Sequence, residues 1–150
     1  MHGRCVRAFL AAMLLGGLYA APAPAATKNF VAVLNGGQET PSTPSGAFGV
    51  AFLTFDDKTN SLCYFISFTR LEGGLETAAH LHGPAVPGKP ADVVVALVAG
   101  NPKNMCVTVP ASLPNGFKAK RDIKRGMTYL NIHSHDFPGG EIRGQVIPVK

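Results

Sequence analysis

Short apolar runs that recur about every ten residues, each closed by a cluster of Gly, Pro, Asn or Asp, constrain this chain more than anything else in it. That spacing is the pattern of short strands paired in a sandwich or barrel. Residues 30–34 form the first run and stop at Asn35-Gly36-Gly37; residues 47–55 turn through Asp56 to Asn60 into residues 62–69, which reads as a hairpin. Residues 77–82 end at Gly83-Pro84, and residues 93–98 are β-branched and apolar on both faces, which predicts a central strand. Residues 105–109 follow, and residues 128–133 and 141–146 flank the turn Asp136-Phe137-Pro138-Gly139-Gly140. Only residues 111–126 break the pattern. There Phe117 and Ile123, with charges between them, predict a short helical turn over 117–125, stopped by Gly126 and carrying a solvated Lys/Arg face.

Residues 1–26 read as a leader rather than as fold. Arg4 and Arg7 precede an apolar stretch at 8–20, and Ala21-Pro22-Ala23-Pro24-Ala25-Ala26 offers small residues for cleavage. An apolar run of about 13 residues is short for a membrane span, so the expectation is a cleaved secretory signal, no lasting membrane anchor, and one domain over 27–150 in the periplasm or outside the cell. Losing Arg4 and Arg7 lowers the net charge from +5 to +3, since 12 basic residues then face 9 acids. That bias is mild. The remaining basic residues cluster only at 118–125 without a groove-reading motif, which argues against nucleic acid as a partner. Cys5 leaves with the leader, and Cys63 and Cys106 in an exported chain most simply form a disulfide. Two separately buried thiols, or soft ligands for copper, are the alternatives.

The histidines point to chemistry. Beyond His2 they fall into two pairs of the same spacing, His80-x-His82 and His133-x-His135. Side chains alternate faces along a strand, so each pair shares a face with Cα atoms roughly 6.5 to 7 Å apart, close enough for two imidazoles to meet one ion. Leu130 and Ile132 then face the core and the histidines face out. Burying Ile142, Gly144 and Val146 along with Leu130 and Ile132 requires paired residue numbers of even sum in the last hairpin. His133 therefore lies opposite Glu141 or Arg143 rather than Ile142, giving a polar patch of His133, His135, Glu141, Arg143 and Asn131. Four imidazoles without thiolate suit copper(II), or zinc as the alternative, better than calcium or magnesium. Asp136, Glu141 and Asp92 are candidates to orient the rings from outside the coordination sphere.

Three blocks carry a family resemblance: Leu34-Asn35-Gly36-Gly37-Gln38-Glu39-Thr40-Pro41, then Ala79-His80-Leu81-His82-Gly83-Pro84-Ala85, then the stretch from Gly126 to Ser134 running into Pro138-Gly139-Gly140-Glu141-Ile142-Arg143-Gly144-Gln145. In these the chain resembles the CHRD family, named for the domain repeated in chordin. The resemblance implies an all-β, antiparallel Greek-key β-sandwich of immunoglobulin- or superoxide-dismutase-like type. It implies histidines at His80, His82 and His133, whereas His135 departs from the usual pattern. The site is also similar, more weakly, to that of copper/zinc superoxide dismutase, which would give Arg143 the role of an anion guide. The chain lacks that enzyme's glycine- and histidine-rich zinc loop.

Three functions follow: an exported metal-binding module, most simply for copper; a copper-dependent enzyme acting on superoxide; and a structural or protein-interaction domain. Nucleophilic catalysis has little support, because Ser134 projects away from both neighbouring histidines. Glu141 and Asp136 form no sugar site, since tryptophan is absent. Tyr64, Tyr129, Phe48, Phe52, Phe55, Phe65 and Phe68 are expected in or near the core. The oligomeric state is not legible in the sequence.

Overall fold

The computed structural model describes residues 27–150, so the expected leader at 1–26 lies outside the described residues. The chain folds as nine antiparallel strands: β1 Thr27–Asn35, β2 Phe48–Asp56, β3 Ser61–Phe68, β4 Glu76–His82, β5 Val93–Ala96, β6 Lys103–Thr108, β7 Tyr129–Ser134, β8 Ile142–Gln145 and β9 Ile147–Pro148. A one-turn 3-10 helix at Gly36–Gln38 and the short helix α1, Ala119–Lys124, complete it. The fold is all-β, as the apolar runs predict. Helix α1 stands within the span read as helical; Ile123 on it and Phe117 just before it are buried in the core.

The strands hydrogen-bond in the order β5-β4-β7-β8-β1-β2-β3-β6, with β9 on β1, so the sheet curls on itself in two halves. One half is β5-β4-β7-β8 and the other β1-β2-β3-β6; a single registered pair, Asn35 with Arg143, links β1 to β8. The inner faces share one core. Phe30, Leu34, Leu53, Tyr64 and Ile66 come from the first-to-third strands, and Leu81, Val94, Leu130, Ile132 and Ile142 from the opposite half. Each such side chain gains roughly 1.5 to 3 kcal/mol on leaving water, which is what fixes the inward parity of every strand. On the far side, Lys103 of β6 pairs with Glu76 of β4 with its side chain fully buried, tying the two ends of the curl together.

Register in the last hairpin follows the parity expected. Leu130 pairs with Gly144 and Ile132 with Ile142, and the same register places His133 opposite Glu141. Two expectations fail. Residues 93–98 do not make a central strand: β5 is the edge of the sheet, and Val93 is half exposed, because its β-branched residues fit an extended edge as well as a buried one. Nor are all the aromatic residues core. Phe55 and Tyr64 are buried, but Phe48, Phe52 and Phe65 are exposed, since they alternate with the inward Ala51, Leu53, Tyr64 and Ile66. Cys63 and Cys106 sit directly opposite one another on β3 and β6 and form a disulfide, with Cα atoms 3.9 Å apart. Among the described residues no helix is long and apolar enough to cross a membrane.

Candidate metal centre

The outer face of the β4-β7-β8 half is polar and partly roofed: Asn131, Arg143, Gln145 and His82 are buried, while His80 and His133 are half-buried. Register aligns His80 with Asn131, His82 with Tyr129, Asn131 with Arg143, and Tyr129 with Gln145, so all these side chains share that face. Two loops roof it, one carrying Glu39 and Thr40 and the other Ala85 and Lys89. Gln145 Nε2 donates to Ala85 O at 2.9 Å, Arg143 donates to Thr40 Oγ1 at 3.2 Å and to Lys89 O at 2.8 Å, and Asn131 Nδ2 donates to Glu39 Oε2 at 3.2 Å. The exposed polar patch expected from parity is thus a roofed layer. Asn131, Glu141 and Arg143 are all buried, because parity fixes which way a side chain leaves the sheet but not what the loops place over it.

Under that roof His80, His82 and His133 converge. One nitrogen from each ring lies within 4.8 Å of the others. The ring centroids of His80 stand 5.5 Å from His82 and 4.9 Å from His133, and those of His82 and His133 are 6.4 Å apart. Imidazole nitrogens about 2.0 Å from one tetrahedral ion lie roughly 3.3 Å apart. The His80–His133 contact, at 3.0 Å between Nδ1 and Nε2, is already near that separation. His82 must approach by a modest side-chain rotation.

Backbone carbonyls set the tautomers. His82 Nδ1 lies 2.9 Å from Ala91 O and His133 Nδ1 lies 2.9 Å from Pro138 O. A carbonyl only accepts, so both rings carry their proton on Nδ1 and leave the Nε2 lone pair free. His133 Nε2 therefore accepts from His80 Nδ1. His82 Nε2 is buried and has no partner at all, which costs roughly 1 to 3 kcal/mol unless something binds there. Burial pushes the His82 imidazolium down to about 4; the hydrogen bond to Ala91 opposes this, and His80, His133 and Arg143 reinforce it. His80 is likewise lowered, by burial and then by His133. Three converging imidazoles, an orphaned Nε2 on His82 and no thiolate make a donor set that fits copper or zinc, the ion replacing the proton shared between His80 and His133.

The other candidate residues lie elsewhere. His135 falls beyond the end of β7, is highly exposed and is hydrogen-bonded at 2.7 Å to Asp136, outside the converging three. Asp92 accepts from Asn115 Nδ2 at 3.0 Å. Glu141, fully buried, accepts from Ser45 Oγ at 2.7 Å and from the backbone N–H of Glu72 and Gly73 at 2.6 and 3.1 Å. It is a clamp between loops. The contacts that orient the His82 and His133 rings come instead from the Ala91 and Pro138 carbonyls, which no reading of side chains could name. Arg143 is buried with its guanidinium 3.5 Å from the centre of the Tyr129 ring, and Tyr129 stacks on His82 at 4.7 Å with the rings 3° from parallel. Two residues of this layer were missed, Tyr129 and Glu39. Tyr129 was readable, since it shares the odd-number parity of Asn131 and His133; Glu39 arrives from a loop and carried no such signal.

The CHRD-domain model matches residues 30–146, which spans the sandwich and all three converging histidines. The chain belongs to the CHRD-domain family. No curated protein and no solved structure matches it. Within this CHRD domain, the matched region also contains the Cys63–Cys106 disulfide and every loop of the roof.

Proposed function

We propose that this CHRD-domain protein is exported and binds one transition-metal ion, copper, through His80, His82 and His133, with zinc as the competing ion. The observation that carries this reading is the convergence of three imidazoles of which His82 presents a buried, unpartnered Nε2. A disulfide and an N-terminal leader pattern support a location in the periplasm or outside the cell. A carrier or storage role fits better than superoxide chemistry. The anion-guide role would need Arg143 at the surface, whereas its guanidinium is bonded to Thr40 and Lys89 and packed on Tyr129.

The test is titration of the tag-free domain with Cu(II), Cu(I) and Zn(II), by competition with a chelator of known affinity. The expected result is one tight site per chain that is lost in His82→Ala, weakened at least tenfold in His80→Ala and His133→Ala, and unchanged in His135→Ala. Binding no tighter than about micromolar, or loss of binding in His135→Ala alone, would overturn the reading.

A second reading, a protein-interaction domain, is favoured by a separate feature. The outer face of the β1-β2-β3 half exposes Val33, Phe48, Phe52 and Phe65, beside a hollow of about 410 Å³ lined by Val31, Phe52, Cys63 and Phe65 among others. A domain that takes up neither copper nor zinc leaves this face as its functional surface.

A further inference from the structure

Glu39 and Asn131 are each half satisfied in one buried spot. Asn131 Nδ2 donates to Glu39 Oε2 at 3.2 Å, while Glu39 Oε1 and Asn131 Oδ1 are buried without partners. Both orphaned oxygens crowd the same glycine: a Cβ on Gly140 would stand 2.5 Å from Asn131 Oδ1 and 2.7 Å from Glu39 Oε1. An ionised carboxylate would set two acceptors against each other there, with no donor between them. A carboxylic acid resolves both at once, because its O–H donates from Oε1 to Oδ1 while Oε2 accepts from Nδ2.

Few charged groups surround Glu39, and Asp136 of the turn after β7 lines the same hollow as it does. Arg143 on β8 faces Glu39, but its guanidinium hydrogen-bonds Thr40 Oγ1 and Lys89 O. His80 on β4 and His133 on β7 share the face with Asn131, and from the loop over Arg143 it is the Lys89 carbonyl that reaches in. We propose that Glu39 holds a proton near neutral pH in a cyclic acid–amide pair with Asn131, and that releasing it to solvent strengthens cation binding at the histidine triad. The coupling half rests on the metal reading above; the acid–amide pair does not. Burial pushes the Glu39 carboxyl up to about 7 against the pull of Arg143, the Thr40 backbone and Asn131, which agrees with the geometry.

The route to the metal is short. Asn131 is the cross-strand partner of His80 and lies two residues from His133 on the same face. A charge appearing on Glu39 therefore acts on the ion across one buried side chain, Asn131. An effect of tenfold or more in affinity is the expected order of magnitude.

Two measurements on the mature chain separate the halves. Infrared difference spectra of the metal-free protein, taken between pH about 5 and about 9, should show the carbonyl stretch of a protonated carboxylic acid fading near neutrality. Glu39→Gln, whose amide can make both bonds to Asn131, should lack that band and stay folded. Cu(II) affinity should then rise more steeply with pH in the wild type than in Glu39→Gln, by tenfold or more over that range. Absence of the band overturns the acid–amide pair. Its presence with parallel affinity profiles, or with no copper binding at all, retains the pair and overturns the coupling.

Discussion

At the scale of single residues, the roofed layer depends on Gly140, which leaves room for a buried polar pair, and on the clamp at Glu141. Gly140 has φ +126 and its missing Cβ is the space that Asn131 and Glu39 occupy. Gly140→Ala combines a strained backbone with a collision inside a buried polar pair, and should cost about 2 to 4 kcal/mol in urea unfolding. A change under about 1 kcal/mol would mean that the loop yields there freely. Glu141 makes a pH prediction. Burial works against its charge, but hydrogen bonds from Ser45 Oγ and the Glu72 and Gly73 backbone outweigh this and hold it below its ordinary value of 4.5. Its contribution is therefore complete above that value and is lost as pH falls through the lower folded value. Glu141→Gln should melt lower at neutral pH and show a flatter acid limb, whereas parallel melting curves from pH about 7 to about 3 would remove Glu141 as the clamp. Residue-scale reading of the sequence found three of the four proposed histidines together and put His135 with them only because alternation was carried one residue past the end of β7.

At the scale of elements, parity along strands was the most legible property of the chain. It placed His133 on the face opposite Ile132 and set the β7-β8 register, because a slip of one residue would have turned Leu130, Ile132 and Ile142 out of the core. It could not distinguish an edge strand from a central one: β5 and a fully buried strand present the same β-branched run, and what differs is a neighbour distant in sequence. The edge at the opposite end, β6, is held by its ladder to β3 and by the Cys63–Cys106 bond. The loop closed by that bond spans 43 residues, a length for which a cross-link contributes roughly 2 to 4 kcal/mol. The double variant Cys63→Ala/Cys106→Ala should lose about that much stability, with hydrogen exchange rising first in β6. Copper affinity should stay within twofold, since the bond and the histidines lie on different halves of the sheet. Loss of copper binding with the disulfide would instead place the thiols in the metal site, the alternative that sequence alone left open.

At the scale of the whole molecule, the core and the candidate site occupy opposite faces of the same strands. β4, β7 and β8 turn Leu81, Leu130, Ile132 and Ile142 inward and the histidine layer outward, so the folded sheet is the template on which the triad converges. An unfolded chain separates His82 and His133 by 51 positions and offers at best a weak His-x-His pair. The ion should therefore bind the folded state far better and stabilise it by mass action, about 2.7 kcal/mol at free metal a hundredfold above the dissociation constant. For a domain of this size that is a rise of roughly 5 to 15 °C in Tm. The rise should grow with the logarithm of free copper, vanish in His82→Ala and survive in His135→Ala. A Tm that falls with copper in every variant would show that the ion prefers the unfolded chain, and then three converging imidazoles would be part of the roof's packing rather than a binding site.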